Sequence, residues 1–380
     1  MQQIHFYIDG TELFAPLQPD LSSTKPLHVI SVPRPYQINW NDGKKTIVEI
    51  INNDQNAILF ADKYIAENWL QGIKVDIPSF LVEATEVNKT IHTAIEFAEY
   101  MESIGTTKGN MVYVVGGGIM QDLGAFSCAM FKRGIPWTYI PTTLLGMADS
   151  CIGGKTGLNH GTTKNLLALF SAPARIVHDT SFLETLPRRE LVSGFGEALR
   201  LHVTGGLEFL EKFEREIDSA LRGEEKSIQS IINSSLSVKK AVVESDEFEI
   251  SLRRSMNYGH SMGHALEALT SFSFPHGMAI SLGCMLENIL ARDMYGLPAE
   301  SAERVNKCAR KLVDKEAFSS LQAMDTSNIN SVLKKDKKTI GSTLKLAIPK
   351  TIGNMLFHDF PLNATSESKI QRAIQEVCNE

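Results

Sequence analysis

Between residues 27 and 185, short apolar runs of strand length alternate with longer stretches of helical periodicity. The runs are HVISV (28–32), AILFA (57–61), VDIPSFLV (75–82), MVYVV (111–115), WTYIP (137–141) and RIVHD (175–179). Helical patterns over 91–104 and 120–132 are long enough to make the right-handed crossovers that parallel strands require. This alternation predicts βαβ units and an α/β fold with a Rossmann-like, mostly parallel sheet. From Pro187 onward helical stretches follow one another, and LKLAIP (344–349) is the one convincing strand. The pattern therefore predicts an α/β domain over residues 1–186, with 1–26 as an N-terminal extension, and a mostly helical domain over 187–380. It shows no internal repeat and no low-complexity linker.

Composition narrows the partners more than the fold. The 380 residues suit two domains at roughly 150 residues each. With 43% hydrophobic and 22% charged residues, the chain is neither disordered nor collagen-like nor a coiled coil. Lys and Arg number 38 against 44 Asp and Glu, a net charge of −6 that leaves no basic field for nucleic acid. Small molecules are the expected partners. The stretch MQQIHFYIDGTELFAPLQPD lacks the basic end and apolar run of a leader, and nowhere do 18 uncharged apolar residues follow one another. The five cysteines at 128, 151, 284, 308 and 378 form no CxxC pair. A cytoplasmic location with reduced thiols and no membrane contact is the expectation.

Three segments carry chemistry. Gly116-Gly117-Gly118 follows MVYVV and opens a helical stretch with Asp122 one turn inside. Such a turn lets backbone N–H groups approach a phosphate, although it departs from GxGxxG and, taken alone, better suits a tight packing turn. A second glycine turn runs from Asp149 through Gly153-Gly154-Lys155 to Gly157, with Lys164-Asn165 beyond it. It lacks P-loop spacing, so a nucleoside triphosphatase and a plain surface loop both remain weaker and blander readings of it. The strongest local signal is Asn257-Tyr258-Gly259-His260-Ser261-Met262-Gly263-His264, followed by His276. His260 and His264 lie at i and i+4 on one helix face, and a chain reversal after Pro275 brings His276 to the same point. A metal site is the sharper reading, packed or surface histidines the blander one, and Glu197 is a candidate oxygen ligand.

Taken together, GGGIMQDLGAF (116–126), KRGIP (132–136), IPTTLLGMADSCIGGKTGLNHGTTKN (140–165), SGFGEA (193–198), RSMNYGHSMGHALE (254–267), FPHGMAISLG (274–283) and DKK (336–338) resemble the 3-dehydroquinate synthase family, the sugar phosphate cyclases. The resemblance runs from about residue 27 to 360. It implies a tightly bound NAD, one divalent metal, usually zinc with cobalt as the other option, and a seven-carbon sugar phosphate. It implies metal ligation by Glu197, His260 and His276, and places His264 at the phosphate end of the substrate. By the same resemblance Asp62, Glu86 and Lys89 serve the adenosine end of NAD. Gly116, Gly117, Gly118 and Asp122 serve its pyrophosphate, with Thr142 and Thr143 nearby. Asp149, Lys155, Lys164, Asn165, Lys239, Arg253, Asn257 and the Lys337-Lys338 pair are the implied substrate groups, several shared with the cofactor. The family is typically dimeric, and Arg133 is placed to reach a neighbouring subunit's site.

The residue types suit that chemistry. Oxidation of a secondary hydroxyl calls for a Lewis acid beside a hydride acceptor, and the ketone formed acidifies the neighbouring C–H so that phosphate can leave. Three departures from the family pattern stand out: Gln121 before Asp122, Ala168-Leu169-Phe170-Ser171, and Arg200 where the family has lysine. Arginine keeps the charge but cannot donate a proton as lysine can. The corner formed by Lys239, Arg253 and Asn257 suits a substrate carboxylate and favours the 3-dehydroquinate reaction. Arg200 and the extension before Leu27 point instead to a paralogue using sedoheptulose 7-phosphate, glucose 6-phosphate or an amino analogue. A metal- and NAD-dependent polyol dehydrogenase is the alternative from another class.

Overall fold

Residues 3–8 alternate exposed and buried positions strictly, as a half-buried strand must, and Asp9-Gly10 turns the chain back with φ of 49° and 79°. The turn closes a hairpin of β1 (Gln3–Ile8) and β2 (Thr11–Pro16), in which Ile8 faces Thr11. The pattern of the opening residues predicts only an extension, yet the Asp-Gly turn between alternating runs is a hairpin signal. The computed structural model describes residues 2–379 apart from Ser23, 42–45, Val75, Thr162, Phe272, Ser327 and Lys337.

The chain forms two compact units, one of residues 19–186 and one of residues 1–18 with 187–380. The hairpin thus groups with the C-terminal residues, where the sequence division has it in the α/β domain. The cause is pairing: β1 finds its second partner in a C-terminal strand, and Ser237 Oγ donates to the Pro16 carbonyl at 2.6 Å.

In the first unit the order is β3 (Leu27–Val29), β4 (Tyr36–Trp40), α1 (Ile47–Asn52), β5 (Ala57–Asp62), α2 (Lys63–Trp69), β6 (Ser79–Val82), α3 (Ile91–Ser103), β7 (Met111–Gly116), α4 (Gly118–Met130) and β8 (Trp137–Pro141). A hairpin of β9 (Lys155–His160) and β10 (Thr163–Phe170) follows, then β11 (Arg175–His178). Seven strands form one sheet in the order β3-β4-β11-β8-β7-β5-β6, parallel except for β3 against β4. β8 is buried along its whole length and β5 and β7 nearly so, which is why they read as unbroken apolar runs instead of alternating ones. Phe60 of β5 stacks on Phe97 of α3 at 4.0 Å. Connections run outward from β5 to β6 and then back to β7, so the ends of β5 and β7 form the topological switch point where such sheets hold ligands. The stretch 155–170 is not among the strands that the sequence pattern predicts. It pairs with itself as β9 and β10, with most of β10 exposed.

The second unit continues with α5 (Arg188–Gly205), α6 (Leu207–Leu221), α7 (Glu225–Ser245), α8 (His260–Leu269), α9 (His276–Tyr295), α10 (Ala299–Arg310), α11 (Lys315–Ala323) and α12 (Ile329–Leu333). β12 (Thr339–Ile340), β13 (Thr343–Thr351), β14 (Asn354–Pro361) and α13 (Ala364–Asn379) complete it. β13 contains the expected strand 344–349, and β1 lies parallel to β14 in a five-stranded sheet, β12-β13-β14-β1-β2. α9 is buried continuously from Gly277 to Ala291 and is the axis of this unit. Among the described residues, no helix is long and apolar enough to cross a membrane, and the five cysteines are unbridged.

Two buried histidines set a pH dependence. Burial depresses His178 to about 3 and, against a hydrogen bond with the Ala198 carbonyl, His202 to about 4. Both remain neutral in the fold while the unfolded chain takes up protons near pH 6.5. Their stabilisation is therefore complete above pH 6.5 and is lost as pH falls toward 4 and then 3, each contributing a slope approaching about 1.4 kcal/mol per pH unit. Neither ring nitrogen of His178 meets a hydrogen-bond partner, and the ring stands edge-on to Trp40. Chemical denaturation between pH 7 and 5 should show a shallower loss in His178→Phe than in the parent chain, and equal slopes would refute this assignment.

Candidate active site

In the helical unit, one cluster draws residues from α5, α8 and α9. Glycine makes this possible: a Cβ on Gly277 would overlap the Ser193 carbonyl, and a Cβ on Gly196 the Gly277 carbonyl. The Gly277 amide also donates to Ser193 Oγ at 2.8 Å. The start of α9 therefore lies against α5 backbone to backbone, which sets His276 beside Glu197. Glu197 Oε1 is 3.2 Å from His276 Nε2 and 3.6 Å from His260 Nε2. The candidate ligand atoms of His260, His264 and His276 all lie within 4.8 Å of one another.

The outer faces of these groups fix their roles. His260 Nδ1 is 3.2 Å from the Tyr258 carbonyl, which can only accept, so that nitrogen carries the proton and Nε2 turns inward. His276 Nδ1 is held at 3.2 Å by Glu267 Oε1, the carboxylate-to-histidine arrangement that orients metal ligands. Arg200 Nε donates to Glu197 Oε2 in a fully buried ion pair and leaves Oε1 for the cluster. Burial pushes the Glu197 carboxyl up, but Arg200 and then the two histidines hold it well below the usual carboxylate range. Burial opposes charge on His276, while the neighbouring carboxylates of Glu197 and Glu267 together outweigh it and raise the ring to about 10. A divalent cation fits here. Glu197 Oε1 is buried without an aligned hydrogen-bond donor, and one carboxylate oxygen with imidazole nitrogens is a zinc or cobalt donor set. His264 is the exposed member of the three.

Beside this cluster lies the Asp336–Lys338 pair at 2.8 Å, close enough to bear on His264. Lys337 lies outside the described residues. Arg253 and Asn257 share the turn Leu252–Asn257, and Lys239 is buried on α7. Asp246 accepts from the amides of Ile250, Ser251 and Arg253 at 2.8–3.0 Å, so one carboxylate shapes the loop that presents Arg253.

The α/β unit holds the other residues, several of them at its switch point. Asp62 ends β5 and caps α2, accepting from the Tyr64 amide at 3.2 Å. Gly116 ends β7, and Gly117 caps α4, which opens at Gly118. Thr142 donates its amide to the Gly116 carbonyl at 3.1 Å, and Thr143 Oγ1 accepts from the Gly146 amide at 3.1 Å. Lys89 is buried between Asp122, its ion-pair partner, and Asn165 Oδ1 at 2.7 Å. Burial pushes the Asp122 carboxyl up against the pull of Lys89. Asn159 joins this network by donating to Glu86 Oε2 at 2.7 Å. Asp149 is buried on the turn Gly146–Ser150, Lys155 opens β9, and Lys164 is exposed on β10. Gln121, one of the departures from the family pattern, has a structural role here. Its side chain clasps Ser150 in both directions at 2.7 Å and ties α4 to the Asp149 turn. Arg133 is exposed on the turn after α4.

The named residues thus fall into two sets: Glu197, Arg200, Lys239, Arg253, Asn257, His260, His264, His276 and Lys338 in one unit, the remainder in the other. Sequence reasoning misses Glu267, although residues 260, 264 and 267 share one helix face. It also misses Asp246 and Asn159, whose roles depend on loop shape and carry no spacing signal.

Family models of the N-terminal and C-terminal parts of 3-dehydroquinate synthase match residues 79–193 and 194–339. The 3-dehydroquinate synthase of Prochlorococcus marinus (strain MIT 9312) is 32% identical over 319 residues, 83% of this chain and 86% of its own length. Among solved structures, 2-epi-5-epi-valiolone synthase from Streptomyces hygroscopicus subsp. jinggangensis, with NAD+ and Zn2+ bound, has a TM-score of 0.77 at 21% identity, covering 93% of this chain and 99% of that one. A 2-deoxy-scyllo-inosose synthase complexed with carbaglucose-6-phosphate, NAD+ and Co2+ has a TM-score of 0.75 at 21% identity with the same coverage.

Replacing Lys89 by methionine leaves the half-buried Asp122 carboxylate without its cation, with the Gly157 amide still donating to it, which should cost about 1–3 kcal/mol. Urea unfolding of Lys89→Met at pH 7 reads this directly, and a loss below about 1 kcal/mol would show that the pair is solvent-screened.

Proposed function

The chain belongs to the 3-dehydroquinate synthase family, and from that membership we propose that it converts 3-deoxy-D-arabino-heptulosonate 7-phosphate to 3-dehydroquinate and phosphate. The observation that carries this reading is the convergence of Glu197, His260 and His276 in a chain matched across both halves of the family. The reaction oxidises a secondary hydroxyl, eliminates phosphate, restores the hydroxyl, and closes the ring by an intramolecular aldol step. A bound NAD accepts and returns the hydride, and a divalent cation supplies Lewis-acid charge at the oxygen being oxidised.

The protein's own groups bind and orient. Glu197, His260 and His276 hold the cation. Glu267, the Tyr258 carbonyl and Arg200 hold those three in turn. Asp62, Glu86 and Lys89 serve the adenosine end of NAD. Gly116, Gly117, Gly118 and Asp122 present backbone amides and the start of α4 to its pyrophosphate, with Thr142 and Thr143 alongside. Lys239, Arg253 and Asn257 take the substrate carboxylate, a planar anion that suits a guanidinium. His264 and Lys338 face the phosphate, where His264 can carry the proton that departs with it. Asp149, Lys155, Lys164 and Asn165 complete substrate and cofactor contacts, so anionic groups at both ends fix the reacting geometry. We place the enzyme in the cytoplasm as a homodimer, with Arg133 reaching the neighbouring subunit.

Arg200 favours a second reading. It keeps the positive charge of the family lysine but spends it on Glu197 and cannot act as a proton donor, which suits a paralogous cyclase acting on sedoheptulose 7-phosphate, glucose 6-phosphate or an amino analogue.

Phosphate release by the zinc- and NAD-loaded protein separates these readings. Release from 3-deoxy-D-arabino-heptulosonate 7-phosphate alone, with a product that a dehydroquinase dehydrates, is the expected result. Release only from sedoheptulose 7-phosphate or glucose 6-phosphate moves the activity to the paralogue, and NADH accumulating without phosphate identifies a dehydrogenase. Alanine at Glu197, His260 or His276 should abolish stoichiometric metal by elemental analysis, and full metal retention in all three would end the ligand assignment.

A further inference from the structure

An α-helix begins with amide donors that have no partner within the helix, and Ser, Thr, Asp or Asn at the N-cap ordinarily accepts from them. α8, which carries His260 and His264, has no such cap: the N-cap residue is Gly259, left-handed at φ 80°. No side chain fits there. A Cβ on Gly259 would lie 2.5 Å from Cys284 Sγ and 2.9 Å from the Ile280 carbonyl, and one on Gly283 would overlap the Gly259 carbonyl. The packing that brings α8 against α9 therefore rules out a cap from the helix itself.

Glu287, one turn beyond Gly283 on α9, takes that place. Its Oε2 accepts from the Gly259 amide at 2.7 Å and its Oε1 from the Met262 amide at 3.2 Å. The carboxylate is fully buried and, among the described residues, forms no ion pair. A buried acid without an ion-pair partner is costly unless hydrogen-bonded, and here the two amides and the positive end of the α8 dipole offset part of that cost. His260 is the first residue inside the turn so held, and its Nε2 faces Glu197 from there.

We propose that Glu287 is a positioning residue for the metal centre: a carboxylate from α9 caps α8 and fixes where His260 and His264 point. The proposal rests on the reading of Glu197, His260 and His276 as metal ligands. It makes Glu287 part of the site although it touches no ligand side chain.

The test is Co2+ titration of the metal-stripped full chain, followed by the visible absorption of the bound ion. Glu287→Gln should bind Co2+ about ten- to a hundredfold more weakly than the parent, with altered absorption bands, as for other groups that orient metal ligands. Leu290→Ala, a buried change on α9 that leaves the cap intact, should lower Tm while keeping Co2+ affinity and spectrum. Parent-like affinity and bands in Glu287→Gln would overturn the proposal. A parent that binds no Co2+, or a Glu197→Ala variant that binds it equally, would instead overturn the ligand reading. Should Glu287→Gln fail to fold, amide exchange in the parent decides: slow exchange at Met262 supports the cap, and exchange at the unprotected rate refutes it.

Discussion

The helical unit depends on the absence of side chains at a few helix crossings. α9 touches α5 at Gly277 and Gly196 and touches α8 at Gly283 and Gly259, in each case backbone against backbone. The cluster needs Glu197, His260 and His276 within hydrogen-bond range of one point, and these residues come from three helices. At an ordinary interaxial distance of 8–10 Å the short glutamate and imidazole side chains would have to span more space. Close packing also removes slack, because interiors at crystal-like density resist small displacements. The glycines that punctuate SGFGEA, GHSMGH and FPHG are thus structural statements about where a carboxylate and imidazoles can meet.

Electrostatics sorts the two units differently. In the α/β unit a buried cation, Lys89, meets a half-buried anion, Asp122, and donates as well to the Asn165 amide oxygen. In the helical unit Arg200 neutralises one oxygen of Glu197 and leaves the other turned toward imidazoles. The first arrangement is closed and supports a loop. The second leaves one carboxylate oxygen, Glu197 Oε1, facing the imidazoles of His260 and His276.

Much of this was legible in sequence for identifiable reasons. AILFA, MVYVV and WTYIP are buried on both faces, and a continuous apolar run is unambiguous when glycine or proline bounds it. The i, i+4 spacing of His260 and His264 places them on one helix face, and the glutamate–histidine set followed from resemblance to a family whose models match both halves of the chain. What stayed hidden was of two kinds. β9 and β10 form a two-stranded sheet of their own, and neither keeps a strict alternation of exposed and buried positions along its whole length. The partnership of β1 with β14 joins Tyr7 to Asn354, and period-2 alternation announces a strand without naming its neighbour. Asp246 and Glu267 act through loops and neighbours that only three dimensions supply.

That last pairing bears on how the chain is made. The α/β unit occupies an uninterrupted stretch, 19–186, and can finish folding while the ribosome is still elongating. The helical unit cannot, because β1 and β2 precede the α/β unit in the chain and β1 must wait, unpaired along one edge, until residues 354–361 are synthesised. Its sheet therefore closes last and through contacts of very high sequence separation, which makes the N-terminal hairpin the point at which slow folding and edge-to-edge association compete.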